Sequence, residues 1–189
     1  MKNLKFFTAI FMAFSLAACQ NDNGYVIDGS VYGGRNFEDQ TIYLAPLAAA
    51  SVQANSDSAV IHDGRFRFEG YAKEDGVYVL RMRPMMKLFI GEPFVIIEPG
   101  HIRVRLNQVS TVGGTPQNDS LQAWNDFKAR NDSALTEIKR QIKRATPDEV
   151  SSLVVMQDSL KAVFEKKSRE TVSVNSNAFG EFVDKWYVR

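Results

Sequence analysis

His62-Asp63-Gly64-Arg65-Phe66-Arg67-Phe68-Glu69-Gly70 decides the fold. Asp-Gly is a strong two-residue hairpin signal, because both residues tolerate the positive φ that such a turn requires. Beyond it, Arg65, Arg67 and Glu69 alternate with Phe66 and Phe68, the period of a strand with one wet and one dry face. Stretches of the same kind occupy 25–31, 41–45, 58–62, 65–70, 77–83, 93–98 and 101–107. They are rich in β-branched and aromatic residues and are separated by Gly, Asp and Pro. Glu98-Pro99-Gly100-His101 supplies a second turn, with Pro setting φ and Gly accepting a positive one. Seven short strands at this spacing predict an antiparallel sandwich or barrel over 25–112, of which the β-sandwich is the expected form.

The pattern then changes period. Thr115-Pro116 is a helix start, and Leu121, Trp124, Phe127, Leu135, Ile138 and Ile142 follow at mostly helical spacing. Thr146-Pro147-Asp148-Glu149 reads as a capping box that opens a second helix, whose stripe is Val150, Leu153, Gln157, Leu160 and Phe164. The class is therefore mainly β with α: a sandwich followed by a C-terminal helical hairpin over 115–174. Residues 175–189 form a tail, whose aromatics Phe179, Phe182, Trp186 and Tyr187 are expected to dock.

At the other end, Lys2 and Lys5 precede an apolar run from Phe6 to Ala18, thirteen residues long. That is too short for a bilayer span, which needs about twenty. It has the parts of a secretory signal over 1–18, with small residues before the cut. Leu16-Ala17-Ala18-Cys19 resembles the bacterial lipobox, so Cys19 is expected to be acylated and to hold the chain on a membrane. Residues 19–24 are the tether. Removal of Lys2 and Lys5 turns a net charge of +1 into about −1. This balance excludes the strongly basic footprint of a nucleic-acid binder. The single cysteine excludes an intramolecular disulfide and a CxxC redox pair.

Several patterns resemble one family in their order and spacing. They are Tyr25-Val26-Ile27-Asp28-Gly29, Tyr43-Leu44, the 62–70 stretch, Ile97-Glu98-Pro99-Gly100 and Gly113-Gly114-Thr115-Pro116-Gln117-Asn118. Over roughly 24–120 the chain is similar to the domain of unknown function 4369, found in lipoproteins of Bacteroides-like bacteria. The resemblance implies an envelope location and a β-sandwich. In many relatives a thioredoxin-like domain follows. This chain stops at Arg189 without a second cysteine, so the resemblance carries over no catalytic residue.

The distinctive side chains are arginines at strand spacing: Arg65 and Arg67, Arg81 and Arg83, Arg103 and Arg105. Each pair shares one face, with apolar neighbours on the other. If Phe66 lies opposite Met82 in a hairpin around Gly76, Arg65 faces Arg83 and Arg67 faces Arg81. Such like-charge pairs are destabilising unless carboxylates, solvent or a bound anion offset them. The six arginines are the expected anion-binding face, for a phosphate, sulfate or uronate group.

His62 and His101, with Asp63 and Glu98, are a weaker metal set, so no metal or other cofactor is expected. Gly33-Gly34 and Gly113-Gly114 lack the residues of a phosphate loop and read as turns. Without a serine elbow or a nucleophile motif, no catalytic residue is expected. Asp57-Ser58-Ala59, Asp119-Ser120-Leu121, Asp132-Ser133-Ala134 and Asp158-Ser159-Leu160 resemble O-glycosylation acceptors of such bacteria.

The expected role is non-catalytic: a lipid-anchored envelope module binding or scaffolding a glycan, peptide or partner protein. Its expected place is the outer membrane, facing the periplasm. An accessory to a thiol–disulfide or nutrient-uptake system is the alternative, and a hydrolase with an unrecognised carboxylate site is a third.

Overall fold

The computed structural model describes residues 23–47, 56–73, 75–83 and 90–189. Cys19, most of the tether and the leader lie outside them. Eight strands form two four-stranded sheets. They are β1 (Gly24–Val31), β2 (Thr41–Pro46), β3 (Asp57–Val60), β4 (Arg65–Tyr71), β5 (Gly76–Met82), β6 (Phe94–Ile97), β7 (Gly100–Leu106) and β8 (Thr111–Gly113). The first sheet runs β4-β1-β7-β8 and the second β3-β2-β5-β6. All ladders are antiparallel except β1 with β7, which is parallel. The expected sandwich is present, with β8 as an eighth strand.

The Asp-Gly turn forms as its residues require. Asp63 and Gly64 have φ of 50° and 69°. His62 and Arg65 exchange both backbone hydrogen bonds at 2.9 Å. The turn carries the chain from β3 in one sheet to β4 in the other. The core lies between the sheets, with Ile27, Phe66, Phe68, Ile102 and Val104 meeting Ile42, Leu44, Leu80, Val95 and Ile97. Each large apolar side chain buried there contributes about 1.5–3 kcal/mol.

The expected hairpin with Phe66 opposite Met82 does not form. β4 pairs with β1, placing Phe66 opposite Gly29, and β5 pairs with β2, placing Met82 opposite Ile42. Gly29 explains the choice. The Phe66 ring lies where a side chain would stand, only 1.9 Å from the position a Cβ would take. Arg65 and Arg67 also gain Ser30 and Asp28 as cross-strand neighbours in place of two arginines.

Two helices follow, α1 (Pro116–Ile142) and α2 (Pro147–Val174), each about 40 Å long. They form the expected hairpin, with Leu135, Ile138, Ile142, Val150, Leu153 and Leu160 half-buried along it. The tail is itself a helix, α3 (Ala178–Tyr187), started by the Asn177 side chain, which accepts from the Gly180 N–H. Of its aromatics Phe179, Phe182 and Tyr187 dock as expected, whereas Trp186 stays more than half exposed. Phe182 meets Phe94 on the side of the second sheet turned away from the core, with ring centroids 5.1 Å apart. Tyr187 joins Trp124, which lies 5.5 Å from both it and Phe164.

The start of α1 is not capped as its sequence suggests. Thr115 stands at the N-cap, but its hydroxyl bonds no helix N–H. Glu98, buried just after β6, accepts from the Gln117 and Asn118 N–H groups at 2.8 and 3.2 Å. Negative charge is favoured at this helix end. The Asn118 amide, fully buried, then acts as a strand partner for β6: it accepts from the Ile96 N–H at 2.9 Å and donates to the Ile96 carbonyl at 2.7 Å. The next residue, Asp119, and Gln122 one turn on accept the Gly114 and Val112 N–H groups at the β8 edge. Helix α1 therefore closes one edge of each sheet.

Replacing Asn118 with Ala should leave two buried backbone groups of Ile96 unpaired, at roughly 1–3 kcal/mol for each. A urea titration should show the midpoint falling without a change in slope. An unchanged midpoint would count against this edge closure.

Candidate functional site

Burial separates the two outer faces. In β5 and β6, consecutive residues Val79-Leu80 and Val95-Ile96-Ile97 are buried, so both faces of these strands are covered. In β4 from Arg65 to Glu69 and in β7 from His101 to Leu106 burial alternates, leaving Arg65, Arg67, Glu69, His101, Arg103 and Arg105 in water. The outer face of the first sheet is thus open, and four arginines stand on it.

Register orders this face into three rows across β4, β1 and β7. The first is Arg65, Ser30, Arg105; the second Arg67, Asp28, Arg103; the third Glu69, Val26, His101. Thr111 on β8 extends the first row beside Arg105. Asp28 is the hub. It accepts from Arg67 Nη1 at 2.9 Å, and His101 Nε2 lies 2.5 Å from its other oxygen. Arg67 also pairs with Glu69. The hydrogen bond to His101 first, and then the Arg67 charge, hold the Asp28 carboxyl below its ordinary value against partial desolvation. Its carboxylate in turn helps to hold the Arg67 guanidinium above its usual range, after the larger effect of Glu69.

Arg65, Arg103 and Arg105 have no carboxylate partner among the described residues. Together with Asp28, Ser30, Val60 and His62 they line a broad, shallow depression of about 760 Å³. Arg103 leans toward the Gly113-Gly114 bend, its Nε 3.3 Å from where a Cβ of residue 114 would stand; glycine is required there by a φ of 101° and by the His101 carbonyl, 2.5 Å from that same position.

The six expected arginines do not form one face. Arg81 lies on β5 in the other sheet, where Glu92 pairs with it at 3.1 Å. Arg83 follows the end of that same strand, exposed. The hairpin that would have united them is replaced by a crossover between sheets, so the shared face reduces to Arg65, Arg67, Arg103 and Arg105.

The two histidines are also apart. His62 adjoins the row of Ser30 and His101 the row of Val26, four residues or about 13 Å along β1. Glu98 is buried at the start of α1 and meets neither. His62 instead neighbours Glu38 at 3.4 Å and Asp39 at 3.6 Å. These three bring one ligand atom each within 4.8 Å, with all side chains largely in water. Sequence reasoning missed this neighbourhood because Glu38 and Asp39 arrive from a loop more than twenty residues away.

Of the serines in the Asp-Ser pattern, Ser58, Ser133 and Ser159 are exposed and Ser120 is half-buried, its hydroxyl donating to the Pro116 carbonyl. No helix of the described residues is long and apolar enough to cross a membrane.

The sandwich together with the start of α1 coincides with the stretch matched by a family model. Residues 25–121 match the family described as Domain of unknown function (DUF4369), and the chain belongs to it. No curated protein and no solved structure matches the chain.

The sign of the Asp28 shift sets a pH dependence. A carboxyl depressed in the folded state contributes stability above its unfolded pKa of about 3.9. That contribution fades as pH falls from there through the lowered native value. Wild type should therefore exceed Asp28→Asn in urea midpoint at pH 7 by more than at pH 3. A gap that does not narrow on acidification would show that Asp28 is not held this way.

Proposed function

We propose that this chain is a non-catalytic, lipid-anchored envelope protein whose open sheet face binds an anionic partner. The observation that carries the reading is the trio Arg65, Arg103 and Arg105 around Ser30, three guanidiniums without carboxylate partners in one depression. Forked guanidiniums suit phosphate, sulfate or carboxylate oxygens better than a point charge does. Arg67 is already committed to Asp28 and Glu69 and serves as scaffold.

Anchoring is supported by the leader and by Leu16-Ala17-Ala18-Cys19. Asp22 is the only acid in the residues just after Cys19, which favours the periplasmic side of the outer membrane over surface export. A tether of a few residues keeps the sandwich close to that membrane. Mass spectrometry of the mature N-terminus should find diacyl or triacyl Cys19, and Cys19→Ala should release the chain from membranes. An unmodified Cys19 would overturn the anchor.

For the face, envelope extracts should yield an anionic component that co-purifies with the intact chain. It should be lost from a variant carrying Arg65→Ser, Arg103→Ser and Arg105→Ser. All three side chains are exposed, so the variant should keep the wild-type urea midpoint. Equal recovery by both proteins would overturn the reading.

A further inference from the structure

We infer that the anion is a linear acidic polysaccharide, bearing sulfate or uronate groups at intervals, laid across β4, β1 and β7. This deepens the proposed anion-binding face and rests on it. Three features of the face lead there.

The first is spacing. Arg65 and Arg105 flank Ser30 on neighbouring strands, so their backbones stand about 10 Å apart, and Arg103 lies about 7 Å along β7 from Arg105. Their like charges repel when gathered. At rest the trio is arranged for several anionic groups along a chain, whereas one compact ion would have to draw three guanidiniums together. The depression is also broad and open, unlike the concave, mostly apolar pockets that enclose small ligands.

The second is the mixture of donors and acceptors. Between and beside the arginines stand the Asp28 carboxylate and the Ser30 and Thr111 hydroxyls. Asp28 keeps acceptor capacity beyond its bonds to Arg67 and His101, since an ionised carboxylate has about four lone-pair sites. A bare phosphate or sulfate surface has only acceptors to offer and is repelled by that carboxylate. An acidic sugar chain presents anionic groups for the arginines and hydroxyl donors for Asp28, Ser30 and Thr111.

The third concerns the other linear polyanion. Bases need flat side chains to stack on. Among the described residues the one ring of Phe, Tyr or Trp that lines the depression is Phe66, buried beneath Gly29; the exposed Tyr32 and Tyr71 stand outside that lining, past the end of β1 and at the end of β4.

The test uses the intact chain and calorimetric titration at low and physiological salt. Probes are chondroitin sulfate and polygalacturonate oligomers of increasing length, inorganic sulfate, single-stranded oligonucleotide, and anionic phospholipid vesicles. The expected result is affinity for one or both glycan series that rises with length and falls with salt. It should drop on the order of ten-fold for each of Arg65, Arg103 and Arg105 replaced by Ser. Arg81→Ser, on the opposite face, should bind as wild type does. Asp28→Asn should weaken the glycans while leaving inorganic sulfate unchanged or tighter.

Inorganic sulfate binding as tightly as the longest oligomer would overturn the inference in favour of a compact-ion site. Oligonucleotide or vesicle binding that exceeds the glycans and needs the same arginines would overturn it and leave the anion-binding face standing. If no probe responds to the three substitutions, both the glycan inference and the proposed face fail.

Discussion

The structure depends on a carboxylate and an amide buried where a helix meets the sandwich. Glu98 holds the first N–H groups of α1, and Asn118, from that same turn, completes the edge of β6. Neither group could be buried without its partners, since an unpaired polar group in the interior costs a few kcal/mol. Each therefore requires the other element to be in place. Gln117 extends the junction: its side chain donates to Asp75 at 2.6 Å and accepts from the Phe179 N–H at 3.1 Å. Strand end, helix start and the third helix are joined through Glu98, Gln117 and Asn118. This junction sets which side of the second sheet the helices cover.

That placement determines what is left open. With α3 against β5 and α1 against β6, the first sheet keeps its outer side open to water, and there the chain carries arginines. Their arrangement follows from β1, which lies between β4 and β7 and separates their charges with Asp28 and Ser30. Asp28 neutralises one arginine firmly and leaves the others free. Exposed ion pairs of this kind add little to stability. They do decide where the uncompensated charge remains, and that is the physical content of the candidate site.

Glycine shapes the same sheet from inside. Gly29 receives the Phe66 ring and Gly70 the Tyr25 ring, two cross-strand pairs in which an aromatic side chain covers a bare backbone. Such a pair gives register its specificity, because a slip by one residue would turn every arginine inward. The basic face and the aromatic core are therefore two sides of one register.

The sequence alone determined the period-two strands, the Asp-Gly turn and both long helices, because each of these rests on neighbours within a few residues. It also determined that Arg65, Arg67, Arg103 and Arg105 would face water, since alternation with Phe66, Phe68, Ile102 and Val104 leaves no other option. Partner choice was decided only by the tertiary structure. Nothing local distinguishes Met82 from Gly29 as the neighbour of Phe66; the space above a glycine does so only once β1 and β4 meet. For the same reason Arg81 and Arg83 left the shared face, and His62 found Glu38 instead of His101. Glu98 read as a turn residue became the cap of a helix, because its partners are supplied by a segment that folds back some twenty residues later. Local chemistry chooses elements and faces, whereas the burial of polar groups and rings against distant chain chooses which faces meet.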